Sequence, residues 1–460
     1  MSMSSSPSRA VSLRRLPLAA LLSLAFAGAS QAQSLVDIYE LARGYDAKYL
    51  AAKYQYEANL AKADQGIANL LPSVGASAGV VRTNRDITYS PAPPPGASAS
   101  DYYFNTQTAG IKATQPLYRP ANLAKYQKSQ KSLVATEASL AQAEQDLIVR
   151  VSQAYFDVLV AEEALASAQA QKSAVSEQLA SAKRNFEVGT ATIADTHDAQ
   201  AQFDRISAQE IQADNDLRVK KAALEQLVGK SNLKPQKFNT ATKLPNVGTE
   251  GLDNWLSTAM QTSPAIQLAK TNLELAKLDT EIATADHKPA VDFNLEYGRQ
   301  KNLNATTVAS SPGYNQTINS TSAGVSVTLP LYAGMSVQNR VREAVALEDK
   351  SRQDLEDAQR QVSLSTQTAF LNLQSGWGQV KAYEAAELST ATAVASNKLG
   401  YQVGVKTNLD VLTSQSQLYQ TKRDLAKARY DVLVGQLRLR QAAGVLKAED
   451  LKPINALLAP

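Results

Sequence analysis

The sequence has no cysteine and little histidine. Among 460 residues it contains no Cys and two His, His197 and His287, which are far apart. These absences exclude disulfides, thiolate nucleophiles and a lipid anchor on an N-terminal cysteine, and they argue against a His-rich metal site or a serine-type triad. A glycine-rich phosphate loop is missing as well. The sequence therefore predicts a protein that is not an enzyme and that has no metal or cofactor.

A strong net charge is also lacking. The chain has 47 Lys and Arg against 43 Asp and Glu, and removal of an N-terminal segment containing Arg9, Arg14 and Arg15 leaves a nearly neutral chain. Such a chain gives no electrostatic reason to expect nucleic acid as a partner. Aromatic residues make up only 6% of a 44% hydrophobic composition, which favours Ala/Leu/Val-rich helices.

Long hydrophobic runs are scarce. The apolar run Leu16–Ala27 follows the three arginines and precedes small residues that end at Ala32. This order is typical of a secretory signal peptide over residues 1–32, whereas a membrane-spanning anchor needs about 20 apolar residues. No other stretch resembles a transmembrane helix, so any insertion into a membrane must use strands.

The mature chain contains a tandem duplication. Pro72 recurs as Pro289 at an offset of 217 residues, and Tyr118 recurs as Tyr332 at an offset of 214. Because the offset hardly drifts, we divide the chain into repeats at 33–230 and 251–446. A linker, 231–250, separates them, and a tail, 447–460, follows.

Each repeat is predicted to contain a helix, a strand pair, a long helix, a turn and a further helix. The first helices are expected at about Leu35–Asn69 and Leu252–His287, stopped by Pro72 and Pro289. The strand pairs, about 72–118 and 289–332, alternate apolar and polar residues, as in Val291–Tyr297. A soluble half-buried sheet is the alternative interpretation.

Several features favour a membrane sheet. The predicted strands approach the 9–11 residues that cross a bilayer. Pro116, Tyr118, Pro330 and Tyr332 stand at strand ends, where interfacial aromatic residues are common. Four strands are too few for a barrel with a lumen, so copies must close the sheet. Three copies give twelve strands, although the strand count alone also allows a dimer.

The segments after the strands are predicted to be long helices. Arg119–Glu187 and Ala333–Gln402 contain no proline beyond their first residues, and their apolar residues repeat every seven positions. Each helix would be on the order of 100 Å long. An isolated coiled-coil rod does not explain the strands, whereas a helical tube that continues a β-barrel explains both.

The long helices are predicted to turn back at Val188-Gly189 and Val403-Gly404, since glycine suits the left-handed position at a helix end. Asp195 and Asp410 follow near the start of the return helices, where the helix dipole favours a carboxylate. A simple preference for helix starts is the plain explanation for both aspartates.

The segment Tyr401–Leu412, with Gln417–Tyr419 and Ala426–Tyr430, resembles the TolC family of trimeric outer-membrane channel-tunnels. The first half has a weaker counterpart at Phe186–Asp195. The resemblance covers the mature chain and implies an α plus transmembrane β fold. This fold is a trimeric twelve-stranded β-barrel continued by a twelve-helix periplasmic coiled-coil tunnel. A small mixed equatorial belt is also implied, which we assign to 231–250 and 447–460.

The resemblance implies a passive exit duct in the outer membrane of a Gram-negative bacterium, used for type I secretion or multidrug efflux. The chain is implied to form a homotrimer. Its other implied partners are a periplasmic adaptor protein, an inner-membrane ABC, RND or MFS pump, and outer-membrane lipid. A trimeric surface stalk or adhesin with a barrel anchor is the alternative. A lipid-anchored drug-efflux branch fits less well because it uses an N-terminal cysteine.

The resemblance also implies a gate at the helix turns. Asp195 would bind Tyr401 and Lys406, and Asp410 would form a ring of three carboxylates. Adaptor docking would use six residues of the turns, namely Val188, Gly189, Thr190, Val403, Gly404 and Val405.

Three residues depart from the family pattern. Lys406 replaces an arginine of the best-known member, and Thr413 replaces a second aspartate, which predicts a gate that is easier to release and weaker cation selectivity. Thr190 replaces the usual leucine and puts the adaptor's identity in question. His197, close to Asp195, is a candidate pH sensor or an ordinary exposed histidine.

Overall fold

The computed structural model describes residues 33–88, 90–91, 100–190, 192–238, 251–305 and 314–458. The predicted signal peptide lies outside these ranges, as do residues 239–250 of the predicted linker and residues 459–460 of the tail.

The two halves contain the same elements in the same order, which confirms the predicted duplication. The first half contains α1 (Leu35–Arg43), α2 (Ala47–Gly66), β1 (Ser73–Ile87), β2 (Ser100–Tyr118), α3 (Pro120–Glu187) and α4 (Ile193–Val228). The second half contains α5 (Leu252–Thr262), α6 (Pro264–Ala285), β3 (Ala290–Ala305), β4 (Tyr314–Thr328), α7 (Ser336–Gln402) and α8 (Asn408–Ala442), and α9 (Leu451–Asn455) follows. None of the described helices has the length and apolar character needed to cross a bilayer.

The first helix of each half is interrupted, so the prediction of single helices over Leu35–Asn69 and Leu252–His287 was wrong. In the first half, the carboxylate of Asp46 accepts the N–H of Tyr49 at 2.8 Å and two hydrogen bonds from Arg150 of α3, at 2.8 and 2.9 Å. These bonds start a new helix at this point. In the second half, α6 begins at Pro264, whose ring and missing N–H exclude a continuous helix.

Glycines at the ends of α4 and α8 pack into these two breaks. Gly229 and Gly444 have positive φ angles, 70° and 74°, which end a helix at little cost only for glycine. A Cβ on Gly229 would lie 2.6 Å from the Tyr45 ring, and a Cβ on Gly444 would lie 2.6 Å from the Cα of Ser263. The same close contact therefore occurs once in each half.

The strands form one antiparallel sheet in the order β1–β2–β3–β4. Although four helices separate β2 from β3 along the chain, these strands pair directly and join the two halves. The strands contain 15, 19, 16 and 15 residues, so the prediction of about 9–11 was too short. Pairing continues into parts of both strand pairs that do not alternate apolar and polar residues, because backbone hydrogen bonds do not require an apolar side chain.

The predicted strand-end residues do not all lie at strand ends. Pro72 and Pro289 directly precede β1 and β3, and Tyr118 is the last residue of β2. Pro116 lies inside β2 next to an irregularity in its register with β3, because proline donates no ladder hydrogen bond. Pro330 and Tyr332 lie beyond the end of β4 at Thr328, so the prediction that they mark the end of that strand was wrong.

One face of the sheet is apolar, and its apolar band crosses the strands diagonally. On β3 and β4 the band lies near the helices, where Phe293 pairs with Val325. On β1 the band extends further from the helices, up to Val80, whose partner on β2 is the polar Gln107. Tilted strands of a closed barrel require such a shift if the band is to stay level in a bilayer. The residues of this face are Val74, Ala76, Ala78, Val80, Ala109, Ile111, Ala113, Val291, Phe293, Leu295, Tyr297, Ala323, Val325 and Val327.

The opposite face of the sheet is polar. Thr114 of β2 donates a hydrogen bond to Asn294 of β3 at 3.0 Å, and Asn294 donates to Ser326 of β4 at 3.0 Å. At the junction with the helices, Arg119 binds both carboxylate oxygens of Asp292, at 2.7 and 2.5 Å. This pair ties the start of α3 to the strand of the other repeat.

The long helices α3 and α7 contain 68 and 67 residues, so each extends on the order of 100 Å. The prediction for α3 is confirmed to within one residue. The helix α7 begins three residues later than predicted, because Gly334 and Met335 take positive φ angles before it.

The largest core lies near the middle of these helices, where α1, α9 and residues 233–238 pack around α3, α4 and α8. Tyr155 is fully buried and donates its hydroxyl hydrogen towards the carbonyls of Gln33 and Gln236, at 3.3 and 3.0 Å. Its neighbour Phe156 stacks on Tyr430, with ring centroids 5.5 Å apart. Parts of the two segments that we assigned to an equatorial belt therefore pack against one mid-length core.

Candidate functional site

The two helix turns share one geometry. Gly189 and Gly404 have φ angles of 76° and 79°. In the first turn, Thr190 N donates to the carbonyl of Asn185 at 2.8 Å, and Gly189 N donates to that of Phe186 at 3.0 Å. The second turn repeats both bonds, at 2.8 and 3.1 Å. This pair of bonds is the Schellman motif, so both predicted turns are confirmed.

The turns expose apolar side chains at the end of the molecule. Val188, Val403 and Val405 are 72%, 66% and 77% exposed. A Cβ added to Gly189 or Gly404 would meet nothing within 4 Å. Exposed apolar residues at a helix turn are candidates for a contact surface. The assignment of these residues and Thr190 to adaptor docking stays a prediction.

Asp195 and Asp410 each stabilise the start of a return helix. The carboxylate Oδ2 of Asp195 accepts the N–H and the hydroxyl of Thr192, at 3.0 and 2.7 Å. Asp410 accepts the same groups of Thr407, both at 2.9 Å. In return, each threonine hydroxyl accepts the N–H of its aspartate, which completes a capping box. We missed the two threonines, although Thr-x-x-Asp before a helix is a recognisable signal.

The capping bonds also tune the charge of Asp410. The backbone N–H and hydroxyl of Thr407, helped by nearby Lys406, hold the pKa of this carboxyl below its usual range. The Oδ1 atom of Asp410 accepts no hydrogen bond within the described chain. The carboxylate is therefore ionised at neutral pH and has one oxygen available for other contacts.

The other predicted gate residues have different partners in a single protomer. Tyr401 accepts a hydrogen bond from the amide of Asn185 at 3.2 Å, and not from Asp195. Lys406 forms no ion pair within the described ranges, and its stem covers Gly400, where an added Cβ would lie 2.7 Å from Cγ. The predicted Asp195–Tyr401–Lys406 network thus does not form inside one protomer. Its role between protomers remains a prediction.

The start of α8 packs against the α3–α4 hairpin. Asn408 is fully buried, and so are Val411 and Leu412 on the next turn. Leu412 belongs to an apolar cluster with residues of α3 and α4, among them Val175 and Ile206. Sequence reasoning missed Asn408, because an asparagine at a helix start looks like an ordinary surface residue.

His197 lies on the first turns of α4 and is exposed, with no hydrogen-bond partner within the described chain. The proposal that it senses pH remains untested. Within the described residues, no group of three His, Asp or Glu side chains is arranged to hold a metal ion.

The chain is similar in sequence and in fold to known outer-membrane proteins. The family described as "Outer membrane efflux protein" matches residues 38–230 and 255–445. The chain is similar to "Outer membrane protein TolC" of Vibrio cholerae, with 31% identity over 427 residues, covering 92% of this chain and 94% of the relative. It is also similar to "Alkaline protease secretion protein AprF" of Pseudomonas aeruginosa, with 29% identity over 431 residues, covering 92% and 87%. The fold matches the crystal structure of the Campylobacter jejuni CmeC outer membrane channel with a TM-score of 0.77 at 18% identity, covering 92% of this chain and 90% of that one.

Proposed function

Because the chain belongs to the TolC family of outer membrane efflux proteins, we propose that three copies of it assemble into one passive export duct. The chain is an outer-membrane exit channel of tripartite efflux or type I secretion systems, and it is a transport protein, not an enzyme. We keep the repeats at 33–230 and 251–446 as its structural units.

The sheet carries this proposal. Both outer strands, β1 and β4, pair on one side only within the described chain, so each protomer presents two open edges. Unpaired backbone groups cost several kcal/mol each in lipid, as an order of magnitude, so the edges must pair with other copies. The diagonal apolar band would then form a level belt facing lipid, and the polar face of Thr114 and Asn294 would line the lumen.

The helices would continue this lumen into the periplasm. Four helical strands from each protomer, built from α3, α4, α7 and α8 with the shorter helices stacked above, would form the tunnel wall. The small residues of these helices permit close approach but bury little area each, so many helices must share the burial.

The helix turns would form the periplasmic end of the duct. We assign the valines and glycines of the two turns, with Thr190, to docking of a periplasmic adaptor that couples the duct to an inner-membrane ABC, RND or MFS pump. The protease-secretion relative supports type I secretion as one use. Three Asp410 carboxylates would line the constriction and favour cations.

Planar-bilayer conductance of the purified mature protein tests the proposal. We expect small, cation-selective openings from a trimer, which gel filtration with light scattering would identify. The variant Tyr401→Phe removes the bond to Asn185 and should open the pore further. Silence from both the wild type and the variant, in folded and inserted trimers, would contradict the channel assignment.

A further inference from the structure

Asn408 is a buried polar residue with partners on two other helices. It is the first residue of α8 and is 0% exposed. Its amide Nδ2 donates to the backbone carbonyl of Asp195 on α4 at 3.3 Å, and its Oδ1 accepts a hydrogen bond from Gln178 of α3. One side chain thus joins three helices close to the turns.

The surroundings of Asn408 explain why these bonds matter. Val411 and Leu412 are buried on the next turn, and Leu412 packs against Val175, Leu179, Ala182, Ala199 and Ile206 of the α3–α4 hairpin. Apolar packing of this kind tolerates small slips, whereas a buried amide is satisfied in one register only. Asn408 therefore specifies the position in which the α7–α8 hairpin docks on the α3–α4 hairpin.

The first repeat has no counterpart of this contact. The position equivalent to Asn408 in α4 is Ile193, which is also the first residue of its helix. Ile193 is 50% exposed, whereas Asn408 is fully buried. The two helix starts share a capping box, so helix capping does not account for the asparagine.

We propose that Asn408 is a latch that holds the α8 start on the α3–α4 hairpin, and that this docked position is the closed state of the gate. This inference rests on the proposed channel function. When α8 moves away, the amide becomes hydrated, so its hydrogen bonds to Asp195 and Gln178 stabilise the closed state without trapping it. Asn408 is a positioning residue, because it acts on the gate through the hairpins.

The test is single-channel recording of Asn408→Ala, Gln178→Ala and the double variant. Alanine is a good helix former, so α8 itself should remain intact. With two hydrogen bonds lost, we expect the open probability of Asn408→Ala to rise by about tenfold. Gln178→Ala should have a smaller effect, and it should add nothing to Asn408→Ala, because the two residues share one bond.

Asn339→Ala is the matched control. Asn339 lies in the first turn of α7, is exposed, and makes no side-chain hydrogen bond within the described chain. It should behave like the wild type. Equal open probabilities for Asn408→Ala and Asn339→Ala, or independent additive effects of the changes at Asn408 and Gln178, would overturn the latch.

Hydrogen exchange separates this inference from the channel assignment. In detergent-solubilised protein, the backbone amides of residues 411–416 should exchange about tenfold faster in Asn408→Ala than in the wild type or Asn339→Ala. If the wild type conducts no ions, the proposed channel function is contradicted. The exchange measurement still decides whether Asn408 holds the start of α8 in place. Unchanged exchange at 411–416 would overturn the latch even if the pore conducts.

Discussion

Gly404 and Gly444 occupy the same position after a helix but have opposite surroundings. Their φ angles are 79° and 74°, so alanine at either site incurs the cost of a left-handed backbone, about 1–2 kcal/mol. At Gly404 an added Cβ meets nothing within 4 Å. At Gly444 it would lie 2.6 Å from the Cα of Ser263, 2.8 Å from its N and 2.8 Å from the carbonyl oxygen of Thr262.

These three atoms are backbone atoms at the break between α5 and α6, so they cannot rotate away as a side chain can. Overpacking of this kind costs about 1–3 kcal/mol. We therefore expect Gly444→Ala to lower the free energy of unfolding by about 2–5 kcal/mol and Gly404→Ala by about 1–2 kcal/mol.

Denaturant unfolding followed by tryptophan fluorescence would measure the difference. The chain has two tryptophans, Trp255 and Trp377, and both pack in clusters around α5, α7 and the end of α8. Trp255 belongs to the cluster that contains Ala443, so it reports on the region that Gly444→Ala disturbs. The unfolding midpoint should fall slightly in Gly404→Ala and much further in Gly444→Ala, at equal protein concentration.

Asparagine at the same two sites separates the two costs, because it tolerates the left-handed conformation better than alanine but keeps the Cβ. Gly404→Asn should recover much of the lost stability, and Gly444→Asn should not. If Gly444→Ala were no less stable than Gly404→Ala, the clash with the α5–α6 break would be refuted.

Three further predictions follow from single contacts. Asp46→Ala should lower the free energy of unfolding by about 3 kcal/mol at pH 7, because it removes the cap on the N–H of Tyr49 and both bonds to Arg150, which keeps only Asp146 as a partner. Arg150 lowers the pKa of Asp46 in the folded state. The stability that Asp46 contributes is therefore complete at a pH above its pKa in the unfolded chain, about 3.9, and is lost as the pH falls through its pKa in the folded chain. Thermal unfolding of wild type and variant should therefore converge in strong acid, and a constant gap would contradict the ion pair. Asp410→Asn should reduce the cation selectivity measured by reversal potentials. The selectivity of the wild type should be equal at pH 7 and pH 5, because Thr407 keeps the pKa of Asp410 low. A loss of selectivity already at pH 5 would mean that repulsion among the three Asp410 carboxylates outweighs the bonds from Thr407. Val325→Lys, on the apolar face, should cost about 2–4 kcal/mol in the membrane and reduce the inserted fraction. Ser322→Lys on the opposite face serves as its control. Equal insertion of both variants would contradict the assignment of one face to lipid, and poorer insertion of Ser322→Lys alone would reverse it.

The alternation of apolar and polar residues predicted the strands where one face is apolar. It did not predict the further length of the strands where both faces are polar. Val291–Tyr297 alternates clearly, and it lies within β3 as expected. Beyond Tyr297, Arg299 and Lys301 occupy positions of the same face, so the alternation ends although pairing continues to Ala305. The periodicity of the side chains indicates whether each face of the sheet contacts an apolar or a polar environment. The length of the paired strands depends on backbone hydrogen bonds, which leave no pattern in the sequence.

Helix ends were predictable where the cause is local. The glycines at both turns need no distant partner, and they marked the turns correctly. The break before α2 had local signals in Gly44, which ends α1, and in Asp46, which caps α2, whereas the bond from Arg150 to Asp46 joins another helix and does not show in the local pattern. The break at Pro264 had a local cause, and we predicted a continuous helix in spite of it.

Asp195 and Asp410 show why the candidate site was harder to predict than the fold. The same Thr-x-x-Asp pattern caps both helices, and in each case only Oδ2 receives the capping bonds. The other oxygen of Asp410 accepts no capping bond, so helix capping is compatible with the pore-lining role that we propose for this carboxylate. What distinguishes the two helix starts is the residue that follows each threonine. Ile193 remains half exposed, whereas Asn408 is buried against a hairpin more than two hundred residues earlier in the chain. A contact of this kind becomes visible only when the two hairpins are placed side by side.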